Sequence, residues 1–139
     1  MTSKWVQDIN DMHRKFGVHD WVAKKITAKD KDALAEFLRF RIAFLREELD
    51  ETSNAYNIAD NEEVVDGLID LCVVAIGTLD AFGIDADEAW NRVHAANMSK
   101  EPGVKESRPN PLGLPDLMKP EGWEAPSHEG NHGYLPHTL

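Results

Sequence analysis

Residues 63–82 read Glu-Val-Val-Asp-Gly-Leu-Ile-Asp-Leu-Cys-Val-Val-Ala-Ile-Gly-Thr-Leu-Asp-Ala-Phe. Val64, Leu68, Leu71, Cys72, Ala75, Ile76 and Leu79 return every three or four residues, the period of a helix and not of a strand. They cover more of the circumference than one stripe, so this helix is central and carries neighbours on several sides. Gly83 ends it, and Asp85 followed by Glu88 has the form of a capping box opening a further helix through Ala89, Trp90, Val93 and Ala96. Upstream, Asn57–Asn61 is a polar break. Before it, Leu34, Phe37, Leu38, Ile42, Leu45 and Leu49 share a face of a long helix that opens at Asp30 and ends near Ala55, roughly 25 residues or about 38 Å. A short first helix carries Trp5, Ile9, Met12 and Phe16 between a Ser3 cap and Gly17, and a loop holding His19 and Trp21 joins it to the long one. Trp5 and Trp90, on apolar stripes, read as core.

No run alternates as a strand, so the expected fold is all-α: a four-helix bundle over residues 1–100. After Lys100 the composition changes, because all seven prolines and five of the nine glycines lie beyond it. Helix is nearly excluded there. Leu112, Leu114, Leu117, Met118, Trp123 and Tyr134 give residues 101–139 enough apolar surface to lie as an extended tail across helices or a partner subunit. The central helix is apolar over too much of its surface for a lone unit of about 100 residues, which predicts a homodimer or homotetramer.

The 139 residues are the size of one domain, and 15 Lys plus Arg against 25 Asp plus Glu leave a formal charge of −10. Such a field repels nucleic-acid backbones and anionic membrane surfaces, so neither is an expected partner. Cys72 is the single cysteine, which rules out an intrachain disulfide and a Cys-rich zinc site. The opening residues have neither a basic patch nor an apolar core of a leader, and the expectation is a soluble cytoplasmic protein.

The acids are not scattered evenly. Glu47, Glu48 and Glu51 share one face of the long helix, and Glu63, Asp66 and Asp70 share one stripe of the central helix. Carboxylates at this density raise one another's pKa and resist burial unless a cation lies between them. Mg²⁺, with Mn²⁺ as a substitute, takes oxygen ligands and combines a few carboxylates with water and phosphate oxygens. Two antiparallel helices offering Glu48 and Glu51 on one side and Glu63 and Asp66 on the other make such a cradle, with a polyphosphate supplying the remaining ligands. The competing reading is a set of solvated acidic faces that favour the helix dipole near its start. A di-iron bundle is excluded, because its Glu-x-x-His pairs are missing from both helices, and so is an EF-hand loop.

In order and spacing, Glu47-Glu48-x-x-Glu51 followed by Glu63-x-x-Asp66 resembles the motif of the MazG-like all-α nucleoside triphosphate pyrophosphohydrolases, a superfamily that includes dimeric dUTPases, dCTP pyrophosphatases and phosphoribosyl-ATP pyrophosphohydrolase. Phe16-Gly17-Val18, Leu45 to Glu51, Asp66 to Asp70, Gly77-Thr78, Phe82-Gly83-Ile84 and His94 to Lys100 extend the likeness to short phage and bacterial members, over roughly residues 5–100, with a weaker echo at Lys119-Pro120-Glu121-Gly122-Trp123. The resemblance implies cleavage of a nucleoside triphosphate to monophosphate and pyrophosphate. Glu48, Glu51, Glu63 and Asp66 are then the metal ligands, with Asp70 a ligand or its support, since either aspartate fits the register. Glu47 beside them is the candidate general base. Lys100 and Asn97 meet phosphate or sugar, or else cap their helix. His19 and Trp21 offer a polar reader and a stacking wall for the base, against the alternative of a tryptophan that anchors its segment. A deoxypurine such as dGTP is the first substrate expected, with dCTP or dUTP next. The reading from another class is a non-catalytic acidic helical module that oligomerises through its apolar faces.

Overall fold

The computed structural model describes residues 2–139. Five helices appear where four were expected: α1 (Lys4–Lys15), α2 (Val18–Thr27), α3 (Lys31–Asn57), α4 (Asn61–Ala81) and α5 (Ala86–Met98). Ser3 Oγ, Asp30 Oδ1 and Asp60 Oδ1 accept the N–H groups of Val6, Ala33 and Glu63 and so cap α1, α3 and α4. The extra element is the segment read as a loop around His19 and Trp21. Gly17, at φ 77°, turns the chain, and Val22 drops to 1% exposure beneath the new helix. Val18, Val22 and Ile26 form an apolar row with a spacing of four that was available to read.

The chain forms two compact units, one made of residues up to Asp87 together with Gly130–Leu139, the other of Glu88–Glu129. In the first, α3 and α4 are an antiparallel pair joined by Ile58–Asp60. Their register follows from three contacts. Phe37 meets Phe82 with ring centroids 5.8 Å apart. Arg41 donates to Thr78 Oγ1 at 3.1 Å and to the Val74 carbonyl at 3.0 Å. Thr52 lies against Gly67 so closely that a Cβ on residue 67 would collide with the threonine hydroxyl. The core sits toward the Phe82 end, where Phe82 is fully buried and Leu34 is 1% exposed. Residues 131–138 return to this end: the Tyr134 N–H donates to the Phe82 carbonyl at 2.7 Å, and the Asn131 amide exchanges two hydrogen bonds with the Asp85 backbone.

Two further expectations fail on burial. Trp5 is 54% and Trp90 71% exposed, so neither is core. On α1 the inward pair is Ile9 and His13, because Asp80 satisfies the histidine and lets it displace the edges of the apolar stripe. No single helix among the described residues is long and apolar enough to cross a membrane.

The second unit corrects the expectation that no strand forms. Glu101–Gly103 (β1) and Asp116–Met118 (β2) pair antiparallel, Glu101 opposite Met118. Each strand is three residues long, too short for alternation to register in a sequence. Trp123 organises this unit: its indole N–H donates to the Ala96 carbonyl and Ser99 Oγ, and the Lys100 and Lys119 ammonium groups stand 5.1 and 5.2 Å from its ring centroid.

Candidate active site

The antiparallel register decides which acids meet. With Arg41 beside residues 74–78 and Thr52 beside 67, position 48 falls opposite 70–71 and position 51 about one turn nearer the loop, opposite 66–68. Thr52 shapes this crossing twice, by packing on the bare backbone at Gly67 and by donating its hydroxyl to the Glu48 carbonyl at 2.8 Å. A small residue at 67 lets the helices approach where the carboxylates face one another.

Electrostatics report the same grouping. Glu48 is half-buried, and burial pushes its carboxyl above the ordinary range; the negative charges of Glu51, Asp70, Glu47 and Asp66 push it further. Asp70 is raised as well, first by burial, then by the charge of Asp66 one turn earlier and a hydrogen bond between the two carboxyls. Glu48 Oε2 is cut off from solvent and has no hydrogen-bond partner among the described residues. A buried carboxylate oxygen left unpaired among like charges is costly, and a divalent cation removes both faults at once. Every donor here is a carboxylate oxygen, the set that suits a hard ion such as Mg²⁺.

The cluster therefore brings together Glu47, Glu48, Glu51, Asp66 and Asp70. Glu63 stands exposed in the first turn of α4, one turn beyond Asp66, where its backbone N–H is held by the Asp60 cap. Asn97 and Lys100 belong to the second unit. There the Asn97 carbonyl accepts the Lys100 N–H, closing α5, and the Lys100 side chain lies on Trp123. Trp21 packs on Phe37 with ring centroids 5.2 Å apart and anchors α2 to α3. His19 Nε2 is 2.7 Å from Asp80 Oδ2.

Matched against protein-family models, residues 17–97 fit phosphoribosyl-ATP pyrophosphohydrolase. The chain belongs to that family. The match runs from the start of α2 through most of α5 and contains both acid clusters, and it places the chain in the MazG-like all-α nucleoside triphosphate pyrophosphohydrolase superfamily. A comparison with curated proteins finds no match. Phosphoribosyl-ATP pyrophosphohydrolases cleave a phosphoric anhydride in a nucleotide, usually with a divalent metal. A mostly helical chain with a carboxylate cluster on its main helix pair is consistent with that chemistry.

The residues that sequence reading missed are Asn10, His13 and Asp80. Asp80 was visible as an acid inside the apolar run of the central helix, and an acid there demands partners.

Proposed function

We propose that this chain hydrolyses the bond between the α and β phosphates of a nucleoside triphosphate, releasing the monophosphate and pyrophosphate, with Mg²⁺ or Mn²⁺ as cofactor. The observation that carries the reading is the partnerless, buried Glu48 Oε2 among Glu51, Asp66 and Asp70. Glu48, Glu51, Asp66 and Asp70 hold the metal, and Glu63 extends the cradle at its outer end. An ion held by these carboxylates would neutralise phosphate charge and polarise water. Glu47, exposed beside the ligands, accepts the proton of the attacking water. Trp21 and His19 are given no base-reading role, because Phe37 and Asp80 already engage them.

A deoxypurine such as dGTP is the first candidate substrate, dCTP and dUTP the next, and phosphoribosyl-ATP is added by the family's name. Control of a nucleotide pool, in a phage-infected cell or a bacterial cytoplasm, is the setting such a reaction fits. Val65 and Leu68 on α4 and Phe40 on α3 are exposed by 63%, 53% and 61%, and a homodimer or homotetramer covers them. A non-catalytic module would use the same apolar residues, so the acids must separate the two readings. The experiment is a panel of these nucleotides with Mg²⁺, read by pyrophosphate release. One substrate is expected to turn over, with EDTA stopping the reaction and Glu48→Gln lowering kcat by about a hundredfold or more. Absence of pyrophosphate from every nucleotide with either metal, or a Glu48→Gln variant as active as wild type, overturns the proposal.

A further inference from the structure

At the end of α4 remote from the acid cluster, three side chains from three helices meet at one atom. His13 Nδ1 on α1 lies 2.9 Å and His19 Nε2 on α2 lies 2.7 Å from the same oxygen, Asp80 Oδ2 on α4. The side chains are 4%, 31% and 8% exposed, so the group is formed inside the fold and reaches solvent mainly through His19. Asn10 Nδ2 donates to the other oxygen, Asp80 Oδ1, at 3.0 Å and fixes the plane of the carboxylate. The three ligating atoms lie within 4.8 Å of one another, so small side-chain adjustments bring them to bonds of about 2.0–2.2 Å around one ion. His19 and Asp80 also line a cleft of about 720 Å³, whose wall includes Asn10, Arg14, Ile84 and Tyr134.

We propose that His13, His19 and Asp80 form a second metal site, separate in ligands and chemistry from the carboxylate cluster, which takes a borderline divalent transition ion such as Zn²⁺ and leaves a coordination position open to the cleft. Two imidazole nitrogens and one carboxylate oxygen are the donors of three-ligand zinc sites that keep a place for water. Asn10 plays the supporting role that outer hydrogen bonds play at such sites. Burial lowers the pKa of His13 and so keeps it neutral, the form that ligates. With an ion in place, the ring nitrogens that face Asp80 would turn their lone pairs to the metal and each ring would carry its proton on the other nitrogen. The remaining neighbour is Arg41, which lies with the His13 ring against Gly77. Its charge disfavours an ion held by electrostatics alone, as Mg²⁺ is, and selects one with intrinsic affinity for imidazole.

The test uses the full chain in excess Mg²⁺, which occupies the carboxylates, and titrates Co²⁺ followed by visible absorption and Zn²⁺ against a chromogenic chelator. One ion per chain is expected, with a Co²⁺ spectrum of four- or five-coordinate nitrogen and oxygen ligation. His19→Gln and Asp80→Asn each weaken Zn²⁺ binding by about a hundredfold or more, and Glu48→Gln leaves it unchanged. Failure of wild type to hold Zn²⁺ at micromolar concentration overturns the proposal, as does binding unaffected by His19→Gln or abolished by Glu48→Gln. If a variant loses its helical circular dichroism, the wild-type stoichiometry and Co²⁺ spectrum decide alone. Pyrophosphate release is not the readout, so failure here leaves the proposed hydrolysis standing, and the reverse.

Discussion

Glu48 carries opposite consequences with and without metal. Its raised pKa means that the metal-free fold prefers the protonated carboxyl, so above that value the ionised group subtracts from stability, and below the ordinary 4.5 it no longer does. Glu48→Gln therefore raises the metal-free melting temperature at pH 8, and the gain shrinks as the pH falls through the raised value and is gone below the ordinary 4.5. Reading the difference between variant and wild type cancels groups that act the other way, His13 and Asp80 among them. His13, held low by burial, costs stability as the pH falls below its ordinary 6.5. Asp80 would be raised by burial, but hydrogen bonds from Asn10, His19 and His13 outweigh it, so its contribution is lost only below the ordinary 3.8. Added Mg²⁺ is expected to raise the melting temperature of wild type and not of Glu48→Gln, measured by scanning fluorimetry at one pH.

At the level of helices, the crossing of α3 and α4 depends on Gly67. Gly67→Ala sets a methyl against Thr52 Oγ1, and the resulting overpacking costs about 1–3 kcal/mol by urea unfolding and reduces turnover, because the carboxylates of the two helices are pushed apart. Two helix ends are closed by residues that dislike their conformation: Lys29 at φ 54° after α2 and Ala59 at φ 57° after α3. Ala59→Gly relieves that strain and is expected to stabilise the chain by about 1 kcal/mol in the same assay. These ends also explain what could be read from residues alone. Ser3, Asp30 and Gly83 announced their boundaries, and the periodicity of Leu34 to Leu49 and Val64 to Leu79 announced the main pair. The end of α2 at Lys29 lacks the glycine that usually marks such a stop, so a whole helix passed as a loop. The acids on α3 and α4 were legible because helical spacing fixes a face. Whether Asp66 or Asp70 opposes Glu48 needed the register between helices, which no single helix contains. The His13–Asp80–His19 group was illegible for the same reason, since its members lie on three elements far apart in the chain.

For the molecule as a whole, the exposed Phe40, Val65 and Leu68 predict self-association. Sedimentation equilibrium at micromolar concentration is expected to give at least twice the 15.6 kDa chain mass, and Phe40→Glu to move the distribution toward the single chain. A 15.6 kDa species for wild type removes the oligomer. The return of residues 131–138 to the Phe82 end bears on biogenesis. Helices α1 to α4 are all synthesised before Asn131 and Tyr134, and the Phe82 carbonyl waits for a donor made some 50 residues after it. A nascent chain stalled before residue 130 thus displays an unfinished amino-terminal unit to chaperones and proteases, because nothing yet answers the Phe82 carbonyl and the Asp85 backbone.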